Sequence, residues 1–415
     1  MKTHMKTSDL EQSAGSKEVS AVHPEKAAFT RLSLIPIPIR SPFVWMQRTI
    51  YHEIKEHTFF SISLIVAAIT SCFSMPQWSY IDVKVLVCLF ELMLIVKALE
   101  EYGLLGHIAV NIVNRCRDER RLAVGLCVIS FLLSMFTTND VAIMTVIPIL
   151  IIIAQTCGFS AAVPCVLITA AANLGSSTTP IGNPQNLYIF SFYRIGLTTF
   201  FKYSFPLCMI SLLLLTVSCL FIRPKKIQTT LEGIPVIKKK KVTAFLLLAF
   251  PVIAGIMNLI PYAHTLLLVL LIAIILDGTL ISKLDYRLLL TFLFLFVAVG
   301  NISHMPELNG RLAALTATPF KTYVSALLLS QIISNVPSAI MLAPFTTHIR
   351  ALFYGVNIGG LGTPIASLAS IIAYSLFCRA FAQKKFQFIR TFLLYNFGML
   401  IILSTVFAVV IIFKM

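Results

Sequence analysis

Two short polar clusters interrupt otherwise apolar sequence. The first is Thr137, Thr138, Asn139 and Asp140; the second is Ser334, Asn335 and Ser338. In each, an asparagine follows a hydroxyl residue where a new helix should begin. Side-chain and backbone oxygens there can hold Na+, and the free N–H groups of a helix start attract anions. The same residue types are the preferred helix N-caps, so capping is the plainer reading, and it can coexist with binding. Asp140 is the sharpest of them. A carboxylate at the centre of a bilayer costs roughly 2.5–3.5 kcal/mol, so one kept there points to a coupling cation or a proton.

A third feature is the segment 172–186, ANLGSSTTPIGNPQN. Gly175, Pro180, Gly182 and Pro184 do not suit an ordinary helix interior. Its flanks are apolar, and unwound backbone at membrane depth is tolerated only where it is buried in protein or lines a cavity. A near copy follows late in the chain: NLGSSTTPI at 173–181 and NIGGLGTPI at 357–365 agree at five of nine positions. Two matching broken segments, one per half, point to a transporter's binding site.

The elements that must position these residues are membrane helices. Hydrophobic residues make up 58% of the 415 and charged residues 12%, and several apolar runs approach the roughly 20 residues that cross a bilayer. The fold class is therefore an all-α polytopic membrane protein. The net charge of +16 fits Lys and Arg on cytoplasmic loops better than nucleic-acid binding. Nine scattered cysteines, without a C-x-x-C, read as packing residues rather than disulfides or a zinc site. His264, His304 and His348 show no metal-ligand spacing. No P-loop lysine, H-E-x-x-H or nucleophile–base pair is present, which argues against ATP drive and against an intramembrane enzyme. The only cofactor in prospect is Na+ as a coupling ion.

Residues 1–56 read as a cytoplasmic tail, with a surface helix over 43–57 that could set Trp45, Arg48 and Lys55 at the headgroups. No cleavable signal peptide is visible. Residues 57–222 form a first half, 223–242 a basic cytoplasmic connector, and 243–415 a second half. Spans are expected at 58–74, 82–105, 200–222, 244–259, 265–280, 288–302 and 391–413, with an amphipathic external segment at 303–320. The apolar arms 122–136 and 141–155 are about 15 residues each, or about 22 Å, against a core of about 30 Å. They read as a re-entrant hairpin tipped by 137–140. A second hairpin joins 323–333 to 339–351 through 334–338. Broken helices are expected over 160–193 and 357–377. Glu91 and Lys97 fall within the second span, and Lys97 can pair with Glu101 one turn on.

This topology places 17 Lys and Arg on cytoplasmic loops after the tail and six or seven outside, as the positive-inside rule requires. The N-terminus is then cytoplasmic, the C-terminus external, and the membrane the cytoplasmic (inner) one. With 244–259 set aside, the second half repeats the order of the first in reversed direction. Each inverted repeat holds one re-entrant hairpin and one broken helix.

The motifs at 138–142, 173–186, 334–335, 357–359 and 363–364 resemble those of the ion transporter superfamily. Its members include divalent-anion:sodium symporters, citrate permeases, arsenite-efflux permeases and a group of sodium/proton antiporters. The resemblance spans about 58–413. It implies a homodimer with a scaffold and a moving transport domain, working as an elevator. It implies a first cation site from Thr138, Asn139, Gly175 and Ser176, and a second from Ser334, Asn335, Gly359 and Gly362. The substrate would lie between the tips, near Thr138, Asn139, Asp140, Thr179, Pro180, Ser334, Asn335, Thr363 and Pro364. The family's symporters carry Ser-Asn-Thr at both tips, whereas here Asp140 stands where a hydroxyl is expected. The function so implied is secondary transport of a small anion coupled to Na+ or H+. The alternative on the same architecture is an arsenite-type exporter or a Na+/H+ antiporter.

Overall fold

In the described part of the chain, every apolar run becomes a helix. The computed structural model describes residues 58–227 and 236–413. The expected tail, its surface helix and part of the connector (228–235) lie outside the described residues. Those described form eighteen α-helices and four short 3-10 turns, with no strand among them.

In chain order the helices are α1 (Thr58–Ser71), α2 (Val83–Glu101), α3 (Leu104–Val113), α4 (Glu119–Phe136), α5 (Asn139–Cys157) and α6 (Ala162–Ser176). There follow α7 (Pro184–Phe192), α8 (Leu197–Leu220), α9 (Lys239–Ile256), α10 (Tyr262–Asp277), α11 (Thr279–Ser282) and α12 (Tyr286–Ser303). The last six are α13 (Pro306–Leu315), α14 (Pro319–Ile333), α15 (Asn335–Leu342), α16 (Ile349–Gly359), α17 (Leu368–Ala380) and α18 (Lys385–Phe413). By length and composition, α5, α8, α12 and the segment containing α18 can each cross a membrane. The pair α13 and α14, bent by 108°, can do so as one broken span.

Several boundaries differ from the sequence reading, each for a local reason. The expected second span ends at Glu101, because Gly103 takes a left-handed φ of 81° and starts the separate helix α3. The hairpin arms α4 and α5 have 18 and 19 residues, longer than the arms expected, since charged Glu119 to Arg121 and the stretch up to Cys157 join them. The arm expected over 339–351 breaks at 346–348. There Pro344 lacks an N–H and the Thr346 hydroxyl accepts the His348 N–H at 3.1 Å. The second broken segment accordingly begins at Ile349 rather than Asn357. The expected external segment becomes α13, which buries none of its residues.

Packing sorts the helices into two groups. In one, α1 lies against α12, and α2 against α9 and α10. In the other, α6 packs on α4, α5, α8 and α18, while α14 packs on α15, α16 and α18. Lys97 meets Glu100 at 3.0 Å and Glu101 at 3.5 Å, and Lys283 meets Glu101 at 2.8 Å. The Glu101 carboxylate holds the Lys283 ammonium above the usual lysine range. These half-exposed pairs orient loop ends and contribute little stability.

Two glycines set how closely the second group packs. A Cβ on Gly175 would lie 2.5 Å from Ser134 Oγ, and one on Gly359 would lie 2.7 Å from Ser330 Cβ. Gly359→Ala should therefore destabilise the protein by about 1–3 kcal/mol through overpacking. A clear fall in its thermal midpoint is expected. An unchanged midpoint would contradict the close α14–α16 approach.

Candidate functional site

The helical ladder breaks twice in the second group. The first break, 177–183, separates α6 from α7; the second, 360–367, separates α16 from α17 and holds a 3-10 turn at Pro364–Ala366. Pro184 takes the first position of α7 and Asn183 caps it, accepting the Asn186 N–H at 2.9 Å. Gly175 sits in the last turn of α6 rather than in the break itself.

Each break is bolted to the hairpin arm beside it by a threonine. The Thr179 hydroxyl donates to the Met135 carbonyl. The Thr363 hydroxyl donates to the Gln331 carbonyl at 3.0 Å, and its N–H to Gln331 Oε1 at 2.9 Å. Met135 and Gln331 each stand three residues before the tip hydroxyl, Thr138 or Ser334. Pro180 is buried in the first break, and Pro364 opens the 3-10 turn of the second. Gly362, at a left-handed φ of 96°, lies against Gln331 Oε1.

The first tip and the end of α6 meet the second break, and the first break meets the end of α16. Asn139 Nδ2 donates to Asn173 Oδ1 at 3.0 Å, and the Ser367 hydroxyl donates to the same oxygen at 2.8 Å. Asn173 Nδ2 in turn reaches the Gly360 carbonyl at 3.5 Å and Ser370 Oγ at 3.4 Å. A second bridge runs from Asn183 Nδ2 to Ser176 Oγ and Asn357 Oδ1, both at 3.1 Å, and from Asn357 Nδ2 to Asn186 Oδ1 at 2.8 Å. Asn335, at the second tip, packs on Gly360, where a Cβ would lie 2.8 Å from its Nδ2. Asn139, Asn173, Asn335 and Asn357 are each at least 94% buried.

Capping does not account for the tips. Thr138 and Ser334 occupy the N-cap positions of α5 and α15, yet neither side chain caps its helix. Ser334 adopts φ 80°, ψ 155°, a strained conformation for a residue with a Cβ. Its hydroxyl points back to the Ala366 carbonyl, 3.2 Å away. Asp140 is the second residue of α5, and its Oδ1 is buried without a hydrogen-bond partner among the described residues. The charged group whose field bears on it is another carboxylate, Asp285, which caps α12.

This site has relatives. Residues 50–352 match the CitMHS model, described as a citrate transporter. The chain belongs to the CitMHS family. An uncharacterized transporter of Methanocaldococcus jannaschii is 32% identical over 325 residues, covering 77% of this chain and 88% of that protein. The inner membrane protein YbiR of Escherichia coli is 30% identical over 319 residues, 75% and 85% of the two chains. The solved YdaH transporter of Alcanivorax borkumensis aligns over 86% of this chain and 97% of its own, with a TM-score of 0.53 at 15% identity, a likeness of fold. The resemblance to the ion transporter superfamily is thus borne out, and this CitMHS member is a membrane transporter rather than an enzyme.

The structure adds to the expected set Asn173, Asn183, Asn186, Gln331, Asn357, Gly360, Ser367 and Ser370. Asn173, Asn183, Asn186, Asn357 and Gly360 lie inside the segments that sequence singles out. Gln331, Ser367 and Ser370 lie outside them, because their role is set by elements distant in sequence.

Proposed function

We propose that this protein is a secondary active transporter that carries a small anion across the cytoplasmic membrane and draws on a Na+ or H+ gradient. The observation that carries the reading is the chain Asn139–Asn173–Gly360, which links the first tip to the end of α6, just before the first break, and to the second break. The two halves support inverted repeats by matching contact for contact: Thr179 to Met135 as Thr363 to Gln331, Gly175 to Ser134 as Gly359 to Ser330. The N-cap side chains of α5 and α15 make no capping bond, which leaves first-turn N–H groups other than Asp140's, taken by Asn139 Oδ1 at 3.1 Å, for an anion, in keeping with the family's citrate description. The Asp140 Oδ1, buried without a hydrogen-bond partner among the described residues, supports a coupling cation or proton. The helices α4–α8 and α14–α18 form the moving transport domain, and α1, α2, α9, α10 and α12 the scaffold, which pairs in a homodimer. The polar arms enter as re-entrant hairpins, the N-terminus is cytoplasmic and the C-terminus external.

Asp140 also favours a second reading, arsenite-type export or Na+/H+ antiport, because a carboxylate beside the helix starts competes with an anion. A thermal-shift screen of purified protein separates the two. Citrate or another small carboxylate should raise the midpoint only with Na+ present or at low pH. Binding at 100 times Kd adds about 2.7 kcal/mol. Shifts with Na+ or pH alone, and none with any anion, would favour antiport. No shift under any combination would overturn both.

A further inference from the structure

Glu91 lies outside the asparagine site, midway along α2. It is fully buried, and neither carboxylate oxygen has a hydrogen-bond partner among the described residues. Its near polar neighbour is Thr265 of α10, whose hydroxyl donates instead to the Tyr262 carbonyl at 2.9 Å. Gly255 of α9 packs against that threonine: a Cβ there would lie 3.0 Å from Thr265 Oγ1 and Cγ2. Glu91 is thus buried in α2 where it packs on α9 and α10, with the Thr265 hydroxyl as its near polar group.

Among the described residues, Glu91 forms no ion pair. On α2, Lys84 is two turns away, about 10 Å along the axis. Its Nζ is held by the Ile256 carbonyl at 3.2 Å and Asn258 Oδ1 at 2.7 Å. Asp82 accepts the Val85 N–H, Cys88 is a buried thiol one turn off, and Lys97 pairs with Glu100 and Glu101. On α9 the charges are Lys239 to Lys241 at its start, with Lys241 3.6 Å from Asp277 at the end of α10. Asp277 also accepts from the Tyr102 hydroxyl at 3.2 Å. Tyr262 and His264 are exposed at the start of α10. The other helices on α2 bring Tyr188 of α7, packed on Phe192 and Phe296, His107 of α3, and Tyr286 and Arg287 at the start of α12. None of these groups hydrogen-bonds to either Glu91 oxygen.

An ionised carboxylate is among the costliest groups to bury without a partner, whereas a neutral one is far less so. A hard cation takes about six or more oxygens, and Glu91 with Thr265 supplies half of that. We propose that Glu91 is a proton-binding site, and that its proton keeps α2, α9 and α10 packed together independently of the asparagine site. Removing that proton puts an uncompensated charge into the contact and loosens it. The folded chain then holds a proton that the unfolded chain releases, so stability falls as pH rises.

The test is thermal unfolding of the purified full-length protein from pH 6 to pH 9, for the native sequence, Glu91→Gln and Glu91→Met. The native midpoint is expected to fall by several degrees over that range, and the fall to shrink in both variants while uptake at pH 6 is retained. Infrared spectra of an Asp140→Asn background give a second reading that needs no Glu91 variant. They should show a protonated carboxylic-acid carbonyl band at neutral pH that fades at alkaline pH. Parallel midpoint curves in native and variant proteins, or absence of that band, overturn the proposal. So does a Na+-dependent stabilisation that Glu91→Gln abolishes, since it would make the group a cation ligand.

Discussion

Asn173→Ala is expected to abolish transport while the helices stay assembled. Asn173 Oδ1 accepts from Asn139 at 3.0 Å and from Ser367 at 2.8 Å, so its removal strands the Ser367 hydroxyl donor and leaves Asn139 Nδ2 only a long 3.5 Å contact to Ser367 Oγ. Each stranded donor costs about 1–3 kcal/mol. One stranded and one weakened donor together amount to about 3 kcal/mol, or about 100-fold in the population of the joined arrangement. The change removes no apolar packing of consequence, so the loss should appear in uptake rather than in yield or size-exclusion profile. Ser211→Ala serves as the control. Its hydroxyl is buried in α8 without a partner among the described residues, and replacing it leaves nothing stranded. Its uptake should match the native protein within about twofold, since surplus polar groups add no stability. Equal uptake in Asn173→Ala and the native protein would remove Asn173 from the site.

Asp140→Asn has the second large effect, and it falls on coupling. The substitution keeps shape while deleting one negative charge from the first tip. If the transport domain carries Asp140 across the full membrane potential, the charge moved per cycle changes by one. That is worth about 2.3 kcal/mol at 100 mV, or about 50-fold in the voltage-driven rate. Uptake driven by an imposed potential should therefore change by that order, and the dependence of flux on pH or Na+ should flatten, while downhill exchange persists. Flux with native voltage, pH and Na+ dependence in Asp140→Asn would exclude this residue from coupling.

What could be read from sequence, and what could not, divides along physical lines. The breaks at 177–183 and 360–367 were legible because glycine and proline disrupt a helix locally, whatever surrounds them. The tips were legible because Thr138, Asn139, Ser334 and Asn335 stand out against apolar arms. Helix ends were less so. The second hairpin arm stops short at Thr346, and α3 forms as a separate helix after Gly103, both decided by single turns that hydropathy does not register. The reading of Thr138 and Ser334 as plain helix caps fails on side-chain direction, which only the fold supplies. The partners that complete the site were out of reach for the same reason. Ser367 meets Asn173 across 194 residues, and Gln331 meets Thr363 across 32.

A buried chain from Asn139 through Asn173 to Gly360, joining the first tip to the end of α6 and the second break, is proposed to couple the movement of a solute to an ion gradient. The most direct measurement is uptake of a labelled small carboxylate into proteoliposomes under an inward Na+ gradient, an inward H+ gradient, and neither, with native protein and Asn139→Ala side by side. Accumulation above equilibrium under one of the gradients, absent without it and absent in Asn139→Ala, is the predicted result. Equal, merely downhill entry under all three conditions, or accumulation that survives Asn139→Ala, would contradict it.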